Sequence, residues 1–137
     1  MASIKTSNFQ FSNPKVTKMI FEVNDKFVSE KYKGTPLSYE VISKNIDNNS
    51  ADVELNMKIG VKGTETPFYI ELAISSRFIW TEDAAPVAED LLKKNAVMML
   101  ISYARPLVAH LTVDAGYQPF NIPFVDLRDD FKKMNQE

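Results

Sequence analysis

Acid–base or metal chemistry in this chain would have to rest on few residues: the adjacent carboxylates Glu82–Asp83 and Asp129–Asp130, and His110, its only histidine. Hydrolysis or group transfer needs a nucleophile with a base, two carboxylates in different environments, or converging metal ligands. Each acid pair stands at the start of a predicted helix, where carboxylates favour the helix dipole. His110 falls between Leu107 and Leu111 on another predicted helix, a place for a surface or core-margin imidazole. The absence of cysteine removes thiolate nucleophiles, disulfides and Cys-built metal sites. Gly34, Gly60, Gly63 and Gly116 are too dispersed for a phosphate-cradling loop. The expectation is a protein that is not an enzyme and carries no cofactor or metal.

Apolar side chains offer more. Met98 and Met99 are neighbours on a predicted helix and cannot both enter one core, and Phe120, Ile122, Phe124, Val125, Leu127, Phe131 and Met134 follow within a short span. Methionine and aromatic side chains adapt to irregular apolar partners, as a promiscuous polypeptide binder requires. The same residues could instead close the core or an oligomer interface. Periodicity leaves both readings open.

The elements that must position these residues are legible in the patterning. In ADVELNMKIGVKG, Val53, Leu55, Met57, Ile59 and Val61 alternate with Asp52, Glu54, Asn56, Lys58 and Gly60, which predicts a strand with one buried and one wet face. The flanking IDNNS and GTETP are predicted turns. Phe68, Ile70, Leu72 and Ile74 give the partner strand of an antiparallel hairpin, running on through RFIW. Leu37, Tyr39 and Val41 share one face of a further strand, and Thr17, Met19, Phe21 and Val23 share one face of the first. Then the period changes. Asp83 can cap a helix with Pro86 in its first turn, and Asn95 can cap a second. The second carries Val97, Leu100, Ile101, Ala104, Val108, Leu111 and Ala115 as an apolar stripe up to Gly116, with a kink or break expected near Pro106. RDDFKKMNQE can form a short terminal helix. Strands followed by helices imply an α+β fold: a four-stranded antiparallel sheet with one face covered by a long helix from the C-terminal half and a short terminal helix. The other face, with Glu22, Glu54, Lys58, Tyr69 and Glu71, is expected to be mixed and mostly acidic.

At 137 residues with 45% apolar content, the chain suits one domain over 1–137 with a core of its own. Its N-terminus, MASIKTSNFQF, has no basic region followed by an apolar run, and no stretch approaches the ~20 apolar residues of a membrane helix. A soluble, unexported, cytoplasmic protein is expected. Net charge is −2 and the lysines are scattered, so no nucleic-acid partner is expected.

The segment SYARPLVAHLTVDAGYQPFNIPFVDL resembles the SecB protein-export chaperones. The resemblance is carried by Tyr103-Ala104-Arg105, Gly116, Pro119-Phe120-Asn121-Ile122-Pro123, Asp126-Leu127 and Phe131, and more weakly by FQFSNPKVTKMIFE and TPFYIELAISSRFIW. It implies an ATP-independent holdase, usually a homotetramer built as a dimer of dimers, that takes unfolded polypeptide clients in apolar grooves. It also implies client-binding positions at Leu37, Tyr39, Val41, Tyr103, Phe120, Ile122, Phe124, Leu127 and Phe131. Clients would pass to the translocase motor SecA, the only route to a membrane, through outward groups at Glu22, Tyr69 and Glu71. The sequence departs from the pattern at Thr17-Lys18-Met19, where a residue is missing, around Pro119, where the linker is shorter, and at Ser102, where proline is usual. Some proteins of this fold serve the antitoxin of a toxin–antitoxin pair, which gives a dedicated client as the alternative. A further alternative is a non-chaperone interaction scaffold.

Overall fold

The structure is a computed structural model that describes residues 3–127. A short strand, β1 (Phe9–Phe11), and a longer one, β2 (Lys15–Val23), pair one after the other with the same neighbour, β5 (Phe68–Trp80). Next to β5 lies β4 (Ser50–Ile59) and beyond it β3 (Leu37–Asp47), all antiparallel. The sheet is therefore four strands wide, with its first strand broken in two around Ser12–Pro14. Proline has no N–H for a ladder, and the Ser76 hydroxyl closes the break by donating to the Ser12 carbonyl at 2.6 Å.

The alternation read in β3, β4 and β5 is reproduced. Val41, Val53, Leu55, Met57, Ile59, Ile70, Leu72 and Ile74 form one buried face. Two local expectations are corrected. β4 ends at Ile59, because Gly60 turns the chain with φ +77°, and Val61 leaves the strand. A bulge between Val16 and Lys18 places Val16 opposite Ile74 on the core face beside Met19, whereas Thr17 slips out of register and bonds the Ala73 carbonyl.

Connecting β2 to β3 requires a crossover from one sheet edge to the other, and a buried polar cluster anchors it. Asn24 donates through Nδ2 to the Val61 and Thr66 carbonyls at 2.7 and 2.8 Å. The fully buried Thr66 hydroxyl accepts from the Val61 N–H and lies 2.9 Å from the Phe68 carbonyl. No buried side-chain polar atom among the described residues lacks a partner, which is the condition for burying the Thr66 hydroxyl here.

One helical run follows β5: a 3₁₀ turn (Glu82–Val87), α1 (Ala88–Leu91), a π turn (Leu92–Ala96) and α2 (Val97–Asp114). Neither expected cap acts. Thr81 precedes the run without a side-chain cap bond, and Asn95 lies inside the π turn. The extra residue of that turn shifts the apolar stripe rather than ending the helix. No break occurs at Pro106. Pro106 and Ser102 are both exposed, so the carbonyl that loses its partner faces water and the helix continues.

The run ends in a Schellman arrangement. Tyr117 N–H bonds the Thr112 carbonyl, Gly116 N–H bonds the Val113 carbonyl, and Gly116 has φ +96°. Glu82–Asp114 is also long and apolar enough to span a membrane, contrary to the sequence count. Here it is a core helix: Val97, Leu100, Ile101, Ala104 and Val108 are buried and α2 packs on β4 and β5. The expected terminal helix, with Phe131 and Met134, lies outside the described residues.

Candidate functional site: apolar surfaces flanking the long helix

Helix α2 divides the apolar surface into two flanks. On one, Tyr103 meets Phe11 of β1 edge-on, ring centroids 6.2 Å apart, at the top of a ladder through Phe78 and Phe9 to Trp80. Further along the same flank, Met19 of β2 and Pro106, Leu107, His110, Leu111 and Asp114 line an open groove of 370 Å³. Sequence reading missed this groove. Its signal was the exposed apolar content of an edge strand, where Val16, Met19 and Val23 remain accessible, and the bulge that puts Val16 on the same face as Met19 was hidden.

On the other flank runs the segment that leaves the helix. Residues two apart on a helix point roughly 200° apart, so Arg105 faces away from Tyr103. Arg105 Nε donates to the Ile122 carbonyl at 3.1 Å and Nη2 to the Pro123 carbonyl at 3.0 Å. Thr112 Oγ1 accepts the Phe120 N–H at 2.9 Å. Ile122 and Leu127 are buried in the main core, Phe120 is half-buried against it, and Phe124 is 97% exposed.

The proposed client residues are thus not one cluster. Leu37 and Tyr39 are half-buried on the core side of the edge strand β3, and Tyr103 is exposed at the opposite edge. Val41, Ile122 and Leu127 are closed in the core, so as folded they pack rather than present a surface. Phe131 lies outside the described residues.

Glu22, Tyr69 and Glu71 do come together, on the outward face: Glu22 pairs with Tyr69 across β2 and β5. Tyr69 is only 7% exposed, lying under the Lys62 ammonium at 5.2 Å. Its hydroxyl donates to the Glu71 carboxylate at 2.5 Å, and Lys18 Nζ donates to the other oxygen at 2.6 Å. The Lys18 bond and then the Tyr69 bond pull the Glu71 pKa down to about 2. The carboxylate in turn pushes the Tyr69 hydroxyl up to about 12, with burial adding to it. The expectation of a mostly acidic face is corrected. By register Lys15, Lys18, Lys44, Lys58 and Arg77 share it with Glu22, Glu40, Asp52, Glu54 and Glu71, and Arg77 grips Asp52 through Nε and Nη2 at 2.8 and 3.1 Å. No group of three or more His, Cys, Asp or Glu placed to hold a metal occurs among the described residues.

The profile of the family described as preprotein translocase subunit SecB matches residues 7–137. This chain belongs to the SecB family. Among solved structures it is similar to the Mycobacterium tuberculosis Rv1957 SecB-like chaperone, in complex with a ChAD peptide from the Rv1956 HigA1 antitoxin. That match has a TM-score of 0.60 at 14% identity and covers 86% of this chain and 91% of the other. It is also similar to a protein of unknown function from Streptococcus agalactiae, with a TM-score of 0.52 at 14% identity over 88% of this chain and 100% of that one. At such identities the likeness is one of fold. Comparison with curated proteins gives no match. The SecB membership agrees with the resemblance carried by Tyr103-Ala104-Arg105 and the proline-punctuated segment, and with the α+β architecture.

Proposed function

We propose that this SecB-family chain is an ATP-independent, cytoplasmic holdase that binds unfolded or precursor polypeptides through its apolar flanks. The observation that supports it best is the set of accessible apolar side chains beside α2: Met98, Tyr103 and Phe124, together with the groove at Met19 and Leu107. Each apolar contact contributes about 25 cal/mol per Å² buried, so many small burials sum to affinity without selecting a sequence. Leu37 and Tyr39 form a further contact surface on the other side. We also propose homotetramer assembly as a dimer of dimers, which would cover part of the exposed β2 edge at Val16 and Val23.

Delivery of clients for export through SecA is the reading that the family description favours. The outward face weighs against that docking, because Glu71 is already engaged by Lys18 and Tyr69 and the surrounding charges balance, and service to one antitoxin is the second reading. The likeness to a chaperone holding an antitoxin peptide is in keeping with it.

The test is a titration with a fluorescently labelled, permanently unfolded, apolar-rich polypeptide, in parallel with an unstable antitoxin. Micromolar binding of unrelated unfolded chains, weakened by Tyr39→Ser and Phe124→Ser, supports the general holdase. Binding confined to the antitoxin supports the dedicated chaperone. Failure of every chain to bind would leave a scaffold and sink the proposal.

A further inference from the structure

The segment after α2 cannot build a backbone ladder of its own, because Pro119 and Pro123 lack N–H groups. Side chains of the helix hold it instead. Thr112 and Arg105 stand seven residues apart on one flank of α2, about two turns. Thr112 fixes the near end through the Phe120 N–H, and Arg105 fixes the middle by donating to two successive carbonyls, Ile122 and Pro123. The Phe124 ring lies over the same guanidinium at 5.8 Å. Between these anchors Ile122 is buried in the core cluster of Leu100, Ile101 and Ala104, and Leu127 joins that cluster further along. The arrangement is a strap: an extended polypeptide with spaced apolar side chains, seated on an apolar surface and bonded to side chains of the helix.

We propose that Arg105 is the latch of this strap, and that its release uncovers the surface beneath Ile122 and Leu127 for an extended apolar segment of a client. The surface already accepts a polypeptide of that chemistry, since the strap itself is one. A guanidinium presents Nε–H and Nη–H in a rigid fork that spans two neighbouring carbonyls, whereas an ammonium is a single point. The latch therefore depends on arginine geometry rather than on charge. The client part of this inference rests on the holdase reading; the latch does not.

Hydrogen exchange on the full chain, with Arg105→Met and Arg105→Lys, tests it. Methionine keeps an apolar stem of similar length, so packing along the helix survives. The Phe120 amide, which donates to Thr112 Oγ1, should exchange at least about tenfold faster in both variants, corresponding to loss of about 1.4 kcal/mol of local protection. Those of β4 and β5 should stay protected, and the labelled unfolded polypeptide should bind several-fold tighter. Wild-type exchange in Arg105→Lys would mean that charge holds the strap, and unchanged exchange in Arg105→Met that Arg105 does not hold it. Faster exchange with weaker binding would make the strap a wall of the client site. Each of these outcomes overturns the proposal. Faster exchange with no binding by any form, wild type included, leaves the latch standing and removes the holdase reading.

Discussion

Lys18 and Glu71 meet diagonally across the β2–β5 ladder, Nζ to Oε1 2.6 Å, and the second oxygen of that carboxylate accepts from Tyr69. An acid that could dock a basic partner is thereby tied to its own sheet. A partner must displace Lys18 to reach it.

The pH dependence follows from that pair. The Glu71 pKa falls from an ordinary 4.5 to about 2 on folding, so its contribution to stability is present above 4.5 and is lost as pH falls toward 2. The stability gap between wild type and Glu71→Gln should be present at neutral pH and close across that window in a denaturation series. A gap that persists at the bottom of the window would contradict the assignment.

Tyr69 gives the alkaline counterpart. Its pKa is pushed up to about 12, so one of the five tyrosines should ionise last in a phenolate absorbance titration. Stability that comes from the protonated hydroxyl is present below the ordinary value of 10.0 and lost as pH rises through about 12. Glu71→Gln should bring this late titration down, because the carboxylate is its main cause.

Gly60 is irreplaceable for two reasons. With φ +77°, a side chain is strained by about 1–2 kcal/mol, and a Cβ would lie 2.3 Å from the Phe68 carbonyl oxygen. Gly60→Ala should therefore lower stability by more than about 2 kcal/mol, whereas Gly63→Ala, also at positive φ but with open space around it, should cost only the strain. Urea melts of the two variants compare them directly.

Leu100 is fully buried near the start of α2. Leu100→Ala should destabilise the fold by about 2–5 kcal/mol through lost transfer energy and the cavity left behind. Chemical denaturation reads this, and a loss below about 1 kcal/mol would mean that the helix is not seated on the sheet as described.

Phe124 separates binding from folding. At 97% exposure its truncation to serine should leave stability within about 0.5 kcal/mol. Affinity for an unfolded chain should fall several-fold, as fluorescence polarisation of a labelled client would show. Unchanged affinity would remove Phe124 from the binding surface.

Alternation in β3, β4 and β5 and the three- and four-residue steps of α2 were legible in the sequence, because they record which side of each element meets water. The proline-punctuated segment and Gly116 were legible too, since backbone restriction is a property of the residue. The charge balance of the outward face was not. It depends on which strands become neighbours, and Lys18 meets Glu71 only because β2 lies against β5. For the same reason Tyr69, placed by alternation on the wet side, is nearly buried beneath Lys62.

By itself the sequence determined the order of the elements, the faces of β3, β4 and β5 and the resemblance to SecB. Only the tertiary structure decided that Tyr103 and the strap lie on opposite flanks of α2, that Ile122 and Leu127 are covered while Phe124 is not, and that Arg105 holds two carbonyls seventeen and eighteen residues further along. Local pattern fixes which way a side chain points from its own backbone. What it points at is set by packing between segments distant in the chain, where the sum of many weak contacts chooses the partner.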